Sequence, residues 1–263
     1  MKNTRFAIIG NGFISKRHID CIKELGGIIE WICDIDETKK INGIKFTNDY
    51  KNIDNIDWVV ICTPNNLHFE IAQYFRNKGI KVLCEKPPVI STKEFENPFN
   101  DFNVVLQLRY NPEIIKIEKD FHRFYKKNGS IIVKVKRDKS YWDGWKGKEY
   151  ISGGILFNLE VNYIDILIHL FGNEYKILEK QYSDKLANGK IDFNGTVFYY
   201  HFEIMDTNEG QTRSLKIGDK EIELSKQDNL SFENLHMEVY KNLYNGVMFS
   251  DTFDLIKLIE KLK

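Results

Sequence analysis

Lys86 closes the run Lys81-Val82-Leu83-Cys84-Glu85-Lys86-Pro87-Pro88, where a short apolar stretch ends on an ammonium group and meets proline at once. The carboxyl ends of strands in open α/β sheets are where ligands bind, so Lys86 is the first candidate for handling a substrate proton. Upstream, Gly10-Asn11-Gly12-Phe13-Ile14-Ser15 joins an apolar run to an amphipathic one. It is a G-x-G-x-x-G pattern with serine in third place. The first two glycines let a tight turn close and let backbone N–H groups approach a pyrophosphate; serine is small enough for the packing role of the third. Asp34 ends the next apolar run, at the distance where an acid accepts hydrogen bonds from an adenosine ribose. Its charge would repel a 2′-phosphate, which favours NAD over NADP, with Asp36 as a second acceptor.

Three further groups carry polar chemistry. Ile61-Cys62-Thr63-Pro64-Asn65-Asn66-Leu67-His68 is another strand-to-helix turn on the same edge. Thr63 and His68 read there as cofactor-lining residues, Pro64 as fixing the turn, and Asn65 or Asn66 as capping the helix. Asn158, Asn162, Asp165 and His169 recur at helical spacing among Leu156, Leu159, Tyr163, Ile166, Leu167 and Leu170. A solvent face would carry Lys and Glu, whereas two asparagines on consecutive turns suit a pocket that hydrogen-bonds hydroxyls; for His169 a structural role is the better reading. Trp142-Asp143-Gly144-Trp145-Lys146-Gly147 places two indoles and a cation in a glycine-containing loop, which serves either to stack on a sugar or base or to staple the loop to the core.

The elements that must position these residues follow from periodicity. Strand-like runs at Phe6–Gly10, Ile28–Asp34, Trp58–Cys62, Val82–Cys84 and Val104–Arg109 alternate with helices near Ile14–Leu25 and Leu67–Lys78. Such alternation predicts βαβ units and a mostly parallel sheet. Past Asn111-Pro112 come a helix near Glu113–Tyr125, a strand at Ile131–Lys136 and a long helix at Gly153–Phe171. The runs Tyr175–Tyr182, Thr196–Ile204, Arg213–Ile217 and Glu221–Leu224 follow, with turns at Asn188-Gly189 and Gly218-Asp219 and a hairpin loop at Asp206–Gln211. Helices at Glu233–Tyr244 and Asp251–Leu262 close the chain. The reading is α/β: a Rossmann-like domain over residues 1–110, then an α+β domain over 111–263 built on an open, largely antiparallel sheet.

Composition limits the partners. The 263 residues carry 38 Lys plus Arg against 38 Asp plus Glu, so no global field favours nucleic acid or an anionic membrane. Cys21, Cys33, Cys62 and Cys84 show no metal-ligand or C-x-x-C spacing and read as reduced thiols, with no metal expected. Phe6-Ala7-Ile8-Ile9 is too short for a signal peptide or a membrane span, which points to the cytoplasm.

Taken together, Gly10-Asn11-Gly12, Asp34, Thr63-Pro64 with His68, Glu85-Lys86-Pro87 and the helix beginning Gly153-Gly154 resemble the Gfo/Idh/MocA oxidoreductase family over nearly the whole chain. A closer likeness, to its UDP-N-acetylglucosaminuronate 3-dehydrogenase branch, rests on four stretches. They are Leu106-Gln107-Leu108-Arg109-Tyr110, Trp145-Lys146-Gly147, Ser152-Gly153-Gly154-Ile155-Leu156-Phe157-Asn158 and Leu235-His236-Met237-Glu238-Val239-Tyr240.

The resemblance implies an NAD-dependent oxidation at C3 of a UDP-linked amino sugar, supplying a 3-keto sugar for transamination in surface-polysaccharide biosynthesis. It also implies a homo-oligomer, dimer or tetramer, formed through the C-terminal sheet. The implied cofactor residues are Gly10, Gly12, Phe13, Ile14, Asp34, Thr63, Pro64, Asn66, His68, Glu85 and Lys86. The implied substrate residues are Lys86, Arg109, Tyr110, Trp145, Lys146, Asn158 and Asn162, with Lys86, Asn158 and Asn162 at the reacting centre.

One departure matters most. Where the family reads Asp/Asn-x-Gly-x-His-x-x-Asp, this chain has Asn158-Leu159-Glu160-Val161-Asn162-Tyr163-Ile164-Asp165. An amide cannot exchange a proton near neutral pH as imidazole does, so Asn162 leaves Lys86 as the acid/base. Its ordinary pKa of about 10.4 would be lowered by burial and by a positive nicotinamide ring. The alternatives are a 3-ketosugar reductase, or a catalytically silent protein that binds NAD or a sugar nucleotide.

Overall fold

The structure, a computed structural model, describes residues 1–224 and 232–263. Its elements follow the hydrophobic pattern closely at the start. They are β1 (Arg5–Ile9), α1 (Ser15–Glu24), β2 (Ile28–Cys33), β3 (Lys45–Thr47), β4 (Trp58–Ile61), α2 (His68–Asn77), β5 (Lys81–Cys84) and β6 (Asn103–Val104). All pair in parallel in the order β3-β2-β1-β4-β5-β6, the doubly wound arrangement. Every residue of β4 is buried, as a β-branched central strand covered on both faces requires. Strand order reverses between β1 and β4, so the turns after those two strands flank the switch point. The strand expected over Val104–Arg109 is shorter than its apolar run suggests. Only Asn103–Val104 pairs, and Gln107–Tyr110 winds into a 3-10 turn with Gln107 and Leu108 buried.

The next elements are α3 (Pro112–Lys119), β7 (Gly129–Lys136), α4 (Lys139–Asp143), α5 (Glu149–Ser152), α6 (Gly154–Asn158) and α7 (Val161–Phe171). Five strands follow, β8 (Lys176–Tyr182), β9 (Leu186–Phe193), β10 (Thr196–Met205), β11 (Thr212–Ile217) and β12 (Lys220–Glu223). They build a second sheet with β7, in the order β12-β11-β7-β10-β9-β8, in which β7 and β10 alone run parallel. Burial alternates along β9 and β10, so one face is apolar. Phe171 at the end of α7 packs on that face, 4.6 Å from Phe198 between ring centroids.

Several expectations for this half need correction. The helix expected at Gly153–Phe171 is broken, with its two arms, Glu149–Asn158 and Val161–Phe171, at 49° to each other. Gly153 and Gly154 both have φ of +82°, and the Glu160 N–H reaches back five residues to Ile155 O at 3.2 Å. Asn188-Gly189 is no turn. It lies inside β9, where a Cβ on Gly189 would strike the Glu179 carbonyl of the neighbouring strand. The hairpin turn is instead Asn194-Gly195, whose φ values of +50° and +89° suit a type I′ turn. Asp206–Gln211 connects β10 to β11, but these strands do not pair, because β7 lies between them. Gly218-Asp219 does join the paired strands β11 and β12. The helix after Asn111 ends at Lys119, and Phe121–Arg123 continues as a 3-10 turn.

The chain ends with α8 (Phe232–Lys241) and α9 (Phe253–Leu262). Two compact units emerge: Met1–Val89 with Lys93–Val105 and His236–Thr252, and Ile90–Thr92 with Leu106–Leu235 and Phe253–Lys263. A single cut after residue 110 assigns residues 236–252 to the second unit, whereas they group with the first. There the returning segment pairs with the sheet edge, with Val104 N donating to Val247 O at 2.8 Å and Phe249 N to Phe102 O at 2.7 Å. No single described helix is long and apolar enough to cross a membrane.

Phe249 fastens this return. It is fully buried and lies 4.2 Å from Phe95 and 4.8 Å from Phe102 between ring centroids, stacked on both. Phe249→Ala is expected to cost about 3–5 kcal/mol of unfolding free energy, measured by urea titration.

Candidate functional site

The glycine turn after β1 is set by a backbone contact. Gly10 has φ of +88°, and a Cβ there would lie 2.7 Å from Cys62 O and 2.8 Å from Cys62 C. Only glycine lets the turns after β1 and β4 approach so closely. At Gly12 an added Cβ meets nothing within 4 Å, so the turn opens on that side. Gly10 N donates to Cys33 O at 2.7 Å, and Asn11 N donates to Asp34 Oδ2 at 2.7 Å. Asp36 N donates to Asp34 Oδ1 at 2.9 Å. Each Asp34 oxygen thus spends part of its accepting capacity on the backbone and keeps the rest. Asp36 itself caps the turn that follows, accepting from Thr38 N at 2.9 Å. Ser15 is fully buried, with its hydroxyl 2.7 Å from Gly12 O and 2.8 Å from Asn11 Oδ1, which explains why a small residue holds the third glycine position. Phe13 is 79% exposed beside the half-buried Ile14.

On the β4 turn, the Thr63 hydroxyl oxygen is buried without a hydrogen-bond partner among the described residues. Pro64 shapes the turn, Asn65 is buried and Asn66 exposed, and the residue at the N-cap of α2 is Leu67, not an asparagine. Cofactor lining is not where the His68 ring is spent. It is 1% exposed, with Nδ1 2.7 Å from Pro87 O and Nε2 2.9 Å from Thr63 O, and so clamps the β4 turn to the loop after β5. A neutral imidazole has one N–H for these two carbonyls. Burial lowers the His68 pKa, while both carbonyls act to raise it.

Glu85 likewise turns inward. Its Oε1 lies 2.9 Å from His18 Nε2 and 3.3 Å from His236 Nε2, and His18 Nδ1 lies 2.8 Å from the Tyr240 hydroxyl. His18 is fully buried, His236 and Tyr240 are 1% exposed and Glu85 is 6% exposed. Burial pushes the Glu85 carboxyl up, but the imidazole donors outweigh it and hold the group well below the usual carboxylate range. Burial likewise lowers the His18 pKa against the pull of Glu85. One ligand atom from each of His18, Glu85 and His236 lies within 4.8 Å of the others, close enough for a metal that the cysteine spacing gave no reason to expect. Lys86 follows, half-buried. Sequence reasoning missed His18, His236 and Tyr240. The one local signal is that His236 and Tyr240, four apart, share a face of α8.

In the second unit, Asn158 is 7% exposed and donates from Nδ2 to the Tyr141 hydroxyl at 2.9 Å. Asn162 is 5% exposed in the first turn of α7, and its Oδ1 is buried without a hydrogen-bond partner among the described residues. The break between α6 and α7 separates the two asparagines, so they do not sit on consecutive turns of one helix. Arg109 is held by Asp165 through two bonds, Nε to Oδ2 at 2.8 Å and Nη2 to Oδ1 at 2.7 Å. Such a bidentate, mostly buried pair ties the 3-10 turn carrying Arg109 and Tyr110 to α7. His169 stands near Glu118 at 3.6 Å. Trp142 belongs to α4 and Trp145-Lys146-Gly147 to a 3-10 turn, not to an open loop. The Lys146 pKa is lowered by burial and by the Arg137 charge. Tyr163 is buried, and burial raises its pKa.

The first-unit set (Gly10, Gly12, Asp34, Thr63, Lys86) and the second-unit set (Asn158, Asn162, Trp145, Lys146) are each assembled within their own unit. An open glycine turn, an orphaned threonine hydroxyl and a carboxylate with accepting capacity left are what a dinucleotide requires of a switch point.

His18 and His68 fix the acid limb of stability. Both pKa values fall below the ordinary value near 6.5, so between the two values the unfolded chain binds more protons. Stability is therefore complete above about pH 6.5 and lost as pH falls from there, with Glu85 adding a further loss below about 4.5. Urea midpoints measured from pH 8 to pH 4 are expected to decline in that order.

Residues 4–100 match the profile of an oxidoreductase family with an NAD-binding Rossmann fold. Among curated proteins, the chain is 24% identical to the inositol 2-dehydrogenase/D-chiro-inositol 3-dehydrogenase of Lactiplantibacillus plantarum, over 72% of this chain and 59% of that protein. It is 27% identical to scyllo-inositol 2-dehydrogenase (NADP(+)) IolU of Bacillus subtilis, over 73% of this chain and 65% of that protein. It thus spans less than two thirds of the length of either relative. Among solved structures, the WlbA (WbpB) dehydrogenase of Thermus thermophilus, in complex with NAD and UDP-GlcNAcA, superposes with a TM-score of 0.82. The identity is 23%, with 98% of this chain and 94% of that one covered, a likeness of fold.

Proposed function

We propose that the chain is an NAD-dependent dehydrogenase of the Gfo/Idh/MocA oxidoreductase family, acting on C3 of a UDP-linked amino sugar; residues 4–100 match that family's NAD-binding Rossmann fold. The observation that carries the reading is the convergence at the switch point. Gly10 and Gly12, the Asp34 carboxylate and the orphaned Thr63 hydroxyl lie on the turns after β1, β2 and β4, and Lys86 follows the adjacent β5. The UDP-sugar assignment draws support from the fold-long likeness to a dehydrogenase that holds NAD and UDP-GlcNAcA. The curated relatives are named for inositols, so the shared chemistry is a secondary alcohol on a six-membered ring.

The turn residues Gly10, Gly12, Phe13 and Ile14 with Asp34, Thr63, Pro64 and Asn66 would hold the cofactor, and the Asp34 charge favours NAD. NAD, when bound, accepts the hydride leaving the carbinol carbon. Lys86 takes the hydroxyl proton on a neutral Nζ, a contribution worth about 10²–10⁴-fold in rate. Asn158 and Asn162 orient sugar hydroxyls, with Asn162 Oδ1 accepting a hydrogen bond. Tyr110, Trp145 and Lys146 contact the rest of the substrate, while Arg109 acts through its pair with Asp165. The second unit supplies these contacts and, through its sheet, a homo-oligomer in the cytoplasm. The 3-keto product suits transamination in surface-polysaccharide assembly, and the same groups run the reaction backwards as a 3-ketosugar reductase.

A second reading rests on Asn162, an amide in the histidine position: a silent NAD or sugar-nucleotide binder. NADH absorbance is to be followed with NAD and a panel of UDP-amino sugars, other UDP-hexoses and inositols. Turnover of a UDP-amino sugar is expected, and no turnover of any UDP-hexose sinks the proposal. Lys86→Ala is expected to lose about 10²–10⁴-fold in kcat, whereas tight binding without turnover, unchanged by that variant, establishes the silent reading. Asn162→His is expected to raise kcat by about 10²-fold or more, in the same assay, by restoring a proton-exchanging group.

A further inference from the structure

Lys86 carries the proposed chemistry at the end of a four-carbon stem, so where the ammonium sits depends first on how the backbone at residue 86 is held. The residues on either side of it are tied down by three buried histidines from distant parts of the first unit. Before it, the Glu85 carboxylate faces His18 and His236; after it, the Pro87 carbonyl faces His68. The protons of three bonds around Glu85 can be placed. Both imidazoles donate Nε2–H to Glu85 Oε1, which leaves His18 Nδ1 as an acceptor, and the Tyr240 hydroxyl donates to it at 2.8 Å. A neutral His18 and one ionised carboxylate satisfy these three bonds, and Glu85 Oε2 accepts from Lys86 N at 3.2 Å. The rings of His18 and His236 meet edge to face at 5.3 Å, so neither can swing without displacing the other.

We propose that His18, His236 and Tyr240 are positioning residues that hold Lys86 through Glu85, so that the ammonium is placed before any substrate arrives. The proposal rests on the reading of Lys86 as the proton-handling group. It assigns the Glu85 side chain to this support and not to the cofactor. His236 and Tyr240 come from α8, so the C-terminal part of the chain sets the reactive lysine of the N-terminal sheet. Positioning of this kind governs rate steeply, because a misplacement of about 1 Å can cost about 10²-fold.

The test does not need turnover. Intact protein is treated with a limiting amine-reactive acylating reagent from pH 7 to pH 10, and acylation at Lys86 is followed by peptide mass spectrometry with exposed Lys40 as internal reference. In the folded wild-type chain, Lys86 is expected to titrate as one uniform population. In Tyr240→Phe, which removes one hydroxyl at nearly constant volume, and in His236→Gln, its rate relative to Lys40 is expected to change by at least about threefold and its pH midpoint to move. Glu85→Gln removes the neighbouring negative charge and is expected to shift that midpoint downward.

If UDP-sugar turnover is present, the same variants are expected to lower kcat by about 10–100-fold with KM nearly unchanged. An identical Lys86 profile in folded Tyr240→Phe and Glu85→Gln overturns the proposal, as does a stoichiometric metal ion in the purified protein that His236→Gln abolishes. Absence of UDP-sugar turnover with a shifted Lys86 profile retires the substrate reading and leaves the positioning role standing.

Discussion

Backbone-on-backbone contact between residue 10 and the Cys62–Thr63 peptide is the constraint from which the rest of the first unit follows. A side chain of any size at residue 10 would wedge β1 from β4, the two strands on either side of the switch point. With hydrogen in that place the two turns share a wall, and three results come together. The glycine turn is open at Gly12, Asn11 N reaches Asp34 just past the neighbouring strand, and the Thr63 hydroxyl oxygen is buried. The site is a by-product of strand order enforced by one missing Cβ.

Two kinds of buried polar group bear on the site. Glu85, His18 and Tyr240 satisfy one another, and Arg109 with Asp165 does the same. Such groups fix geometry, because breaking one bond strands its partner. Thr63 Oγ1 and Asn162 Oδ1 instead have no hydrogen-bond partner among the described residues, at a cost of about 1–3 kcal/mol each. A folded chain tolerates that cost where an incoming polar group can refund it, and these two atoms lie on residues read as cofactor- and substrate-facing.

Much of this was legible in the sequence, and the failures have identifiable causes. The apolar runs of β1, β2, β4 and β5 announced themselves because central parallel strands are buried on both faces, and the glycine turn with Asp34 stood in the right register. The two Asn-Gly pairs could not be told apart locally. Only the strand neighbours show that Gly189 lies where the Glu179 carbonyl needs room, while Asn194-Gly195 reverses the chain. The apolar stretch from Gly153 to Phe171 hid its break because burial, not periodicity, decides there. His68 looked like a lining residue because its two acceptors are backbone carbonyls, which no sequence pattern marks. The cluster around Glu85 left only the four-residue spacing of His236 and Tyr240 as a local signal, since tertiary pairing across such separations does not show in one sequence.

That separation has a meaning in time. Glu85 leaves the ribosome 151 residues ahead of His236. At about 5–20 residues per second, the interval is about 8–30 s. For that long the carboxylate has His18, made 67 residues earlier, but neither the second imidazole nor the Tyr240 hydroxyl that orients the first. The N-terminal sheet is therefore no module completed as it emerges. Its buried carboxylate must stay hydrated, or half-partnered, until α8 is made, and the lysine beside it acquires its fixed position only then.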